Sequence, residues 1–406
     1  MLLPTMRFAP VLALALVPLL AMSASGCARK KAKKDYNRQL PPGALALKEI
    51  DPALLPTIHL ADREALRTGI KYSLEFEKKK TAADWYRAPK NNGQFQAEQI
   101  TASLQELDSV VASAGSDSDL NQQIRSRFRV FQSVGCDDKG CVLFTGYYTP
   151  IFKASRTPDS TYKHPIYSLP GDVISHGAYQ MADQKLPDGS TQPYPDAATL
   201  LASGSLKGKE LVYVADAYDA YLIRVQGSAR LSLPDGKTME IGYAGTNGHP
   251  YTGIGQALVA DKKISADQLS FFTIREFFRK NPDQVEVYTS KNPRFIFFTE
   301  TSGGPFGSLG QPVTPEVSIA TDKTIFPPAG PVVVATNLSD GGNTDQKLKD
   351  AANKPVNYVA LRLDQDSGGG IRAPGRCDLF MGIGEANERR AGGQYAEGTL
   401  YYLIKR

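Results

Sequence analysis

Short apolar segments separated by glycine, proline, asparagine and aspartate recur along most of this chain, and they limit the folds that it can adopt. The 36 glycines and 27 prolines among 406 residues interrupt most segments before a long helix could form. Short apolar runs bounded by turn residues are typical of strands. We therefore predict a mainly β protein with some helices. The clearest predicted strands are residues 142–148, 222–233, 294–298, 331–336, 356–363 and 399–404.

A few segments have other patterns. Apolar residues at three- and four-residue spacing predict helices at 63–80 and 98–111. Ser265 and Gln268 have the spacing of a capping box, which predicts a helix that begins there and ends before Pro282. The stretch DGGN at 340–343 predicts an exposed loop.

The distribution of charge argues against a nucleic-acid-binding protein. The formal net charge is +5, but six of the 47 lysines and arginines precede Asp35. From Asp35 onward, 41 basic residues face 42 acidic ones. A nucleic-acid surface should be strongly basic within the folded domain. The folded part of this chain is therefore not expected to bind nucleic acid.

The first 27 residues have the pattern of an export signal. Arg7 precedes an apolar run at 11–20, and small residues follow at 23–26. One interpretation is a plain secretory signal. The other is a bacterial lipoprotein signal, because Ala24-Ser25-Gly26 before Cys27 resembles a lipobox. Cys27 would then be the lipidated N-terminal residue, and several acyl chains anchor a protein more stably than one.

The residue after Cys27 bears on localisation. Ala28 rather than aspartate resembles lipoproteins sorted to the outer membrane, so we expect the protein on the periplasmic face of that membrane. Residues 28–45 are basic and then rich in proline, and they are predicted to form a flexible tether.

The remaining cysteines predict no metal site. Cys136 and Cys141 bracket a tight DDKG turn and could form a disulfide in an oxidising periplasm. The four histidines are scattered without paired spacing, which disfavours metal binding. Cys377 is interpreted as a small buried apolar residue. No cofactor and no metal are expected.

One carboxylate stands out near the C-terminus, in the stretch IRAPGRCDLFMGIG at 371–384. Asp378 lies between apolar neighbours in what is predicted to be a buried strand. A buried carboxylate is either paired, or neutral with a raised pKa, and the second state suits a general acid. Asp366 and Asp322 precede it and could converge on the same cleft. The alternative is that each aspartate caps or orders a turn.

Two further sets of residues could bind a ligand. The stretch VQGSA at 225–229 and the loop GYAGTNGHPY at 242–251 offer amides and aromatic faces, which suit sugars better than anions. The strand end GYYTP at 146–150 could line a groove. The alternatives are structural turns for the loops and core packing for the tyrosines.

Together these segments resemble one known family. The pieces LFTGYYTP, HPIYSLP, VQGSARL, GYAGTNGHPYTGIG, NPRFIFF, SIATDKTIFPPAG and LDQDSGGGIRAPGRCDLFMGIGEANERRAG follow the order of the membrane-bound lytic murein transglycosylase A family. Any single piece is a weak signal, but the ordered set covers most of the chain from about residue 143 to its end.

The resemblance implies a fold and domain boundaries. A double-psi β-barrel domain would be assembled from residues 46–155, which include N-terminal helices, and residues 307–406, which resemble the three-aspartate (3D) domain. A second β-barrel domain, specific to the family, would be inserted at 156–306. A groove between the two domains would bind the glycan strand.

The resemblance also implies an activity. The enzyme would cleave peptidoglycan without water, and the family's catalytic acid falls on Asp378, with Asp366 and Asp322 in support. The residues expected to bind substrate are Thr149, Tyr147, Gln226, Gly227, Ser228, Asn247, Gly368 and Gly369. The expected partners are peptidoglycan glycan strands and, through lipidated Cys27, the outer membrane. The alternative is a non-catalytic peptidoglycan-binding lipoprotein that tethers murein to the outer membrane.

Overall fold

The computed structural model describes residues 34–79, 82–86, 94–176, 180–266, 268–269, 271–340, 348–349 and 355–406. The chain from Asp35 onward forms one compact unit. The predicted signal segment, Cys27, residues 28–33 of the predicted tether and 341–343 of the predicted loop lie outside the described residues.

The helices lie mainly before the barrel strands and within the insertion. They are α1 (Arg63–Glu77), α2 (Ala82–Tyr86), α3 (Ala97–Ser113), α4 (Asp117–Arg127), α5 (Ala197–Ser203), α6 (Ala217–Gln226), α7 (Ile254–Ala260), α8 (Phe271–Lys280), α9 (Val285–Thr289) and α10 (Glu385–Gly393). Short 3-10 turns occur at Pro52–Leu54 and Pro282–Gln284.

The strands account for most of the remaining regular structure. They are β1 (Leu47–Ile50), β2 (Phe128–Ser133), β3 (Val142–Thr149), β4 (Ile151–Ser155), β5 (His164–Tyr167), β6 (Val173–Ile174), β7 (Asp183–Lys185), β8 (Thr191–Pro193), β9 (Glu210–Val214), β10 (Ser228–Ser232), β11 (Thr238–Thr246), β12 (Ile296–Thr301), β13 (Ser318–Ala320), β14 (Pro331–Thr336), β15 (Leu348–Lys349), β16 (Pro355–Val356), β17 (Tyr358–Asp366), β18 (Arg376–Ile383) and β19 (Tyr395–Lys405).

A closed six-stranded barrel forms the larger of the two β domains. Its strands follow the order β19-β14-β17-β13-β18-β3, and β3 pairs with β19 to close the ring, while β2 and β1 extend from β19. Every residue of β14 and nearly every residue of β17 is buried, as expected for strands covered on both faces. Helix α1 packs Leu66, Ile70 and Phe76 into the same core. The predicted architecture, a barrel domain with a second β domain inserted, is confirmed.

The second β domain has its own sheet and its own core. Its strand order is β12-β11-β10-β4-β9-β5, so the chain leaves the barrel after β3 and returns to it at β13. Strand β4 pairs in parallel with β10. The second sheet therefore includes residues 151–155, which the predicted boundary had assigned to the barrel. A separate apolar cluster, including Phe152, Leu231, Ile241 and Phe298, fills this domain.

Most predicted elements are confirmed, and one is wrong in part. Helices α1 and α3 match the predictions at 63–80 and 98–111. Residues 222–226, predicted as strand, belong instead to α6. Helix α6 begins because the Asp216 side chain accepts the amides of Tyr218 and Asp219, and it ends because Gly227 adopts φ 77°. Only the second part of the predicted strand is extended, as β10.

Two other predictions differ from the structure. Helix α8 begins at Phe271, later than predicted, and the Ser265 hydroxyl bonds the Gln268 side chain at 2.9 Å. Part of the predicted tether packs on the barrel, where Tyr36 Oη donates to Glu397 Oε1 at 2.8 Å and Arg38 Nε donates to the Cys136 carbonyl at 2.7 Å. In the part of the chain that the structure describes, no helix is long and apolar enough to cross a membrane.

Candidate active site

The register of the barrel brings distant carboxylates into one row. Asp378 on β18 pairs with Thr145 on β3 and, on its other side, with Ala320 on β13. Ala320 in turn pairs with Asp366 on β17. A bulge between Ile319 and Ala320 shifts this register, and it lies at the row itself. The row therefore runs across four adjacent strands, with Asp378 and Asp366 separated by a single alanine.

The carboxyl group of Asp378 has one hydrogen-bond partner in the described part of the chain. Its Oδ1 accepts a hydrogen bond from the Thr145 hydroxyl. Burial raises the pKa of the Asp378 carboxyl above its usual range, while the positive charge of Arg376 and the bond from Thr145 act in the opposite direction.

Arg376 does not form an ion pair with Asp378. Its Nη2 donates instead to the Thr145 hydroxyl at 3.2 Å, so the threonine stands between the two charged groups. No salt bridge to Asp378 occurs among the described residues. The carboxyl can therefore hold a proton without first breaking a charge pair.

Asp366 is held from three directions. Its Oδ1 accepts the backbone amides of Ser308 and Ser367, each at 2.8 Å, and its Oδ2 accepts the Tyr147 hydroxyl at 2.9 Å. Burial raises the pKa of Asp366, and these three bonds oppose the rise. The Tyr147 ring packs on Phe380 at 5.0 Å between centroids. Asp366 thus ties the loop after β17 to β3 and to the chain that returns from the insertion.

Asp322 orders a turn, which is the structural alternative considered for it. The side chain is almost completely buried at 3% exposure. Its Oδ1 accepts the amide and hydroxyl of Thr324 at 3.0 and 2.6 Å, and its Oδ2 accepts the Ala373 amide at 2.9 Å. These bonds join the turn after β13 to the loop that leads into β18. Asp322 can thus help to position Asp378 only through the backbone.

A fourth aspartate, Asp364, was not singled out from the sequence. It forms a fully buried ion pair with Lys323, at 2.5 Å between Nζ and Oδ1. Thr321 and Tyr402 donate hydroxyls to its Oδ2 at 2.7 and 2.6 Å. The Lys323 ammonium also donates to the backbone carbonyl of Asp366. The signal available in the sequence was a second aspartate in LDQD, two residues before Asp366 and therefore on the same face of the strand.

The inserted domain reaches the barrel beside this row. A Cβ atom placed on Gly369 would lie 3.1 Å from Tyr251 Cβ, and one on Gly370 would lie 3.6 Å from the Tyr251 ring. The glycine run therefore permits close approach of the loop that carries Tyr251. Burial raises the pKa of Tyr251, and the charge of Asp378 adds to the rise, so the phenol lies near the candidate acid. Gly368 and Gly369 are both partly exposed.

The other predicted ligand-binding residues fall into two groups. Gln226 and Ser228 are partly exposed on either side of Gly227, where α6 ends and β10 begins, and the Gln226 amide bonds no described side chain or backbone group. Thr149 and Asn247 are buried, at 4% and 0% exposure. Thr149 lies at the end of β3, and its carbonyl accepts the Gly384 amide at 2.9 Å.

Asn247 holds its own loop together. Its Nδ2 donates to the carbonyls of Pro195 and Pro293 at 3.0 and 2.9 Å, and its Oδ1 accepts the Phe295 amide at 2.8 Å. With these bonds made, the amide has little capacity left for a ligand. Asn247 therefore shapes the loop that carries Tyr251, and any effect on a bound sugar is indirect.

The cysteines and acidic groups bear on redox and metal chemistry. Cys136 and Cys141 are both buried, and the Cys136 amide donates to the Cys141 carbonyl at 2.8 Å across the predicted turn. The disulfide between them stays a prediction. Cys377 is completely buried, and burial raises the pKa of its thiol well above the usual range. Within the described ranges, no group of three or more histidine, cysteine, aspartate or glutamate side chains could hold a metal ion.

Comparisons with known proteins match both β domains. A family model described as the MltA specific insert domain matches residues 143–299, and one described as the 3D domain matches residues 317–404. The membrane-bound lytic murein transglycosylase A of Escherichia coli K12 is 29% identical over 280 residues, covering 67% of this chain and 68% of that protein.

Two crystal structures show the same fold. One is a membrane-bound lytic murein transglycosylase from Agrobacterium tumefaciens, with a TM-score of 0.72, 23% identity, and coverage of 89% of this chain and 98% of that one. The other is E. coli MltA with bound chitohexaose, with a TM-score of 0.67, 21% identity, and coverage of 92% and 99%.

Proposed function

The chain belongs to the membrane-bound lytic murein transglycosylase A family, and from this premise we propose that it cleaves the β-1,4 bond between N-acetylmuramic acid and N-acetylglucosamine in peptidoglycan. The observation that carries the proposal is the state of Asp378. Its carboxyl is partly buried, its pKa is raised, and a single hydroxyl bonds it among the described residues. These are the properties of a general acid.

The proposed reaction uses one carboxyl group. Protonated Asp378 donates its proton to the glycosidic oxygen, and the bond from that oxygen to muramyl C1 breaks. The resulting carboxylate accepts the proton of the muramyl C6 hydroxyl, whose oxygen closes onto C1 and leaves a 1,6-anhydro product. Water is not consumed. The nucleophile belongs to the substrate itself, so its effective concentration is high.

The remaining residues would position the glycan. Asp366 and Tyr147 form a rigid pair at the row, and Gly368 and Gly369 allow the loop with Tyr251 to approach. Gln226 and Ser228 are accessible on the inserted domain. The E. coli relative was crystallised with chitohexaose, a linear sugar polymer of the same backbone chemistry. We therefore place the glycan between the two β domains, over the row of aspartates.

Membrane attachment is part of the proposal. The relatives in E. coli and Vibrio cholerae are named as membrane-bound. Cys27, preceded by small residues, would carry the lipid, and the protein would lie on the periplasmic face of the outer membrane. A basic and proline-rich segment after Cys27 would let the folded unit reach the murein.

Substitution of the candidate acid tests the reaction. General acid–base catalysis contributes about two to four orders of magnitude, so Asp378→Asn should lower the release of muropeptides from purified sacculi by a factor in that range. Asp283→Asn, at an exposed 3-10 turn, is the matched control and should release muropeptides at the wild-type rate. Sacculus binding by Asp378→Asn should be unchanged.

Mass spectrometry of the products separates the candidate functions. Anhydro-muropeptides from the wild-type protein support the lyase, whereas reducing ends would identify a hydrolase. If wild type bound sacculi but released nothing, the chain would be a non-catalytic murein-binding lipoprotein. Undiminished release of anhydro products by Asp378→Asn would mean that another group is the acid.

A further inference from the structure

Arg376, Thr145 and Asp378 form a chain of hydrogen bonds that the family comparisons do not assign. Arg376 and Asp378 are two residues apart on β18, so their side chains lie on the same face of the barrel wall. Thr145 is the register partner of Asp378 on β3. Arg376 Nη2 donates to the Thr145 hydroxyl oxygen at 3.2 Å, and that hydroxyl bonds Asp378 Oδ1.

Counting protons fixes the direction of this chain. A guanidinium can only donate, whereas a threonine hydroxyl has one proton to give. Thr145 accepts from Arg376 and donates its one proton to Asp378 Oδ1. In a protonated carboxyl, the oxygen that accepts a hydrogen bond is the carbonyl oxygen, so the acid proton resides on Oδ2. Among the described residues no group donates to Oδ2.

We infer that Arg376 and Thr145 are positioning residues that place the catalytic proton of Asp378 on Oδ2 and keep the guanidinium one hydroxyl away from the carboxyl. The inference rests on the proposed function. Before proton transfer, Thr145 prevents an ion pair between Arg376 and Asp378, which would favour the ionised carboxylate. After transfer, the same hydroxyl bond and the positive charge beyond it stabilise the carboxylate that must accept the C6 hydroxyl proton.

The surroundings of the Arg376 guanidinium support this role. Its Nε is buried and has no hydrogen-bond partner in the part of the chain described, which is a costly arrangement for a side chain that served structure alone. No salt bridge to its guanidinium is found there either. Its only charge-bearing neighbour along the bonded chain is therefore Asp378, reached through Thr145.

Other titratable groups face Asp378 from the surrounding elements. They are Cys377 on the same strand, Tyr147 on β3, Asp366 on β17, and Tyr251 from the inserted domain. Burial keeps both phenols and the thiol neutral across the physiological range. Arg376 is the positive charge that acts on Asp378. Changes at position 376 should therefore move the titration of Asp378 more than changes at its other neighbours.

The experiment is the pH dependence of anhydro-muropeptide release by the full-length protein. A general acid works only while protonated, so the rate falls as pH rises through the pKa of Asp378. Arg376→Met removes a charge that favours the carboxylate and should move this alkaline limb to higher pH by about one unit. Thr145→Val keeps the volume but removes the hydroxyl bond that favours the carboxylate, and it should also move the limb to higher pH.

Two further variants complete the test. Thr145→Ser keeps the hydroxyl and should retain the wild-type limb and a rate within about threefold of wild type. Thr336→Val removes a buried hydroxyl that bonds the Glu397 carbonyl elsewhere in the barrel, and it should leave the limb unmoved. The double variant Thr145→Val/Arg376→Met should also have its limb above that of wild type, because neither the charge nor the hydroxyl bond that favours the carboxylate remains.

The results separate this inference from the proposed function. If wild type releases no anhydro products, the proposed function fails. If wild type is active and both single variants lose rate without a shift of the limb, or shift it to lower pH, the two residues are structural and the inference is overturned. Should Thr145→Val not fold, Arg376→Met and Thr145→Ser still decide the question.

Discussion

Lys323→Met should destabilise the barrel far more than removal of any exposed lysine. Lys323 and Asp364 are 2% and 0% exposed, and the ammonium donates to Asp364, to the Thr321 hydroxyl at 3.1 Å and to the Asp366 carbonyl. Methionine has a similar shape, so little cavity is created. What is lost is the charge that compensates Asp364.

The magnitude follows from the groups left behind. Without Lys323, Asp364 Oδ1 has no donor, while Thr321 and Tyr402 still donate to Oδ2. Leaving one partner of a buried ion pair uncompensated costs about 3–5 kcal/mol. Adding Asp364→Asn removes the orphaned charge but keeps an oxygen for both hydroxyls. The double variant should therefore recover about 2 kcal/mol of the free energy of unfolding.

The deficit should also depend on pH. Burial raises the pKa of Asp364 in the folded protein, and Lys323 opposes that rise, so the variant's folded pKa is higher still. The folded state then binds more protons than the unfolded state between the unfolded pKa of about 3.9 and the folded pKa. Stability of Lys323→Met should fall with rising pH across that window, by at most about 1.4 kcal/mol per pH unit.

Urea unfolding followed by tryptophan fluorescence measures these changes. Trp85 is the single tryptophan of the sequence and packs edge-on against Phe76, beside the barrel core. Lys280→Met, which removes an exposed pair with Glu276, is the control and should change stability by less than about 0.5 kcal/mol. A loss below about 1 kcal/mol for Lys323→Met, or a deficit that grows as pH falls, would refute the reasoning.

Two further predictions concern the glycine loop and the helical layer. Gly369→Val should push Tyr251 away and lower muropeptide release at least tenfold. Gly370→Ala is the control, because its Cβ would make ordinary contact at 3.6 Å, and it should retain activity. A fully active Gly369→Val would contradict the proposed approach of the two domains. Glu77 lines a cavity of about 1110 Å³ beside α1, and burial raises its pKa to about 7. The folded state therefore holds the Glu77 proton more tightly than the unfolded state, so Glu77 should contribute a fall of wild-type stability as pH rises from about 4.3 to 7. Asp364, Asp366 and Asp378 also have raised pKa values, so Glu77→Gln should lessen that slope in urea unfolding at a series of pH values without removing it. An unchanged slope would show that Glu77 does not contribute.

The elements that the sequence predicted well are those with a strong local signal. Strand β14 has the predicted bounds because its residues form an unbroken apolar run without glycine. Helix α6 differs from the predicted strand because the alternation from Leu222 also fits a helix face, and Asp216 supplies the N-terminal cap that starts the helix. The tether prediction failed at Tyr36 and Arg38, since composition cannot reveal hydrogen bonds to residues more than ninety positions away.

The candidate site was predictable only as a set of residue types. The resemblance brought Asp322, Asp366 and Asp378 together, but not their partners. Thr145 and Arg376 have no distinctive local pattern, and their relation to Asp378 depends on the register between β3 and β18. That register is set by a parallel pairing across more than two hundred residues of intervening chain. A motif can identify the carboxyl, but the pairing of β3 with β18 determines which side chains lie beside it.

The donors around each aspartate explain why one of them is suited to chemistry. Asp322, Asp364 and Asp366 each accept three hydrogen bonds from the described residues, and both oxygens of each carboxyl are engaged. Asp378 accepts one, from Thr145, and only on Oδ1. A carboxyl with both oxygens satisfied cannot turn to a glycosidic oxygen without losing a bond that the fold depends on. Three aspartates of the barrel therefore have both oxygens bonded, whereas Asp378 keeps one oxygen that no described residue bonds, as the proposed proton transfer requires.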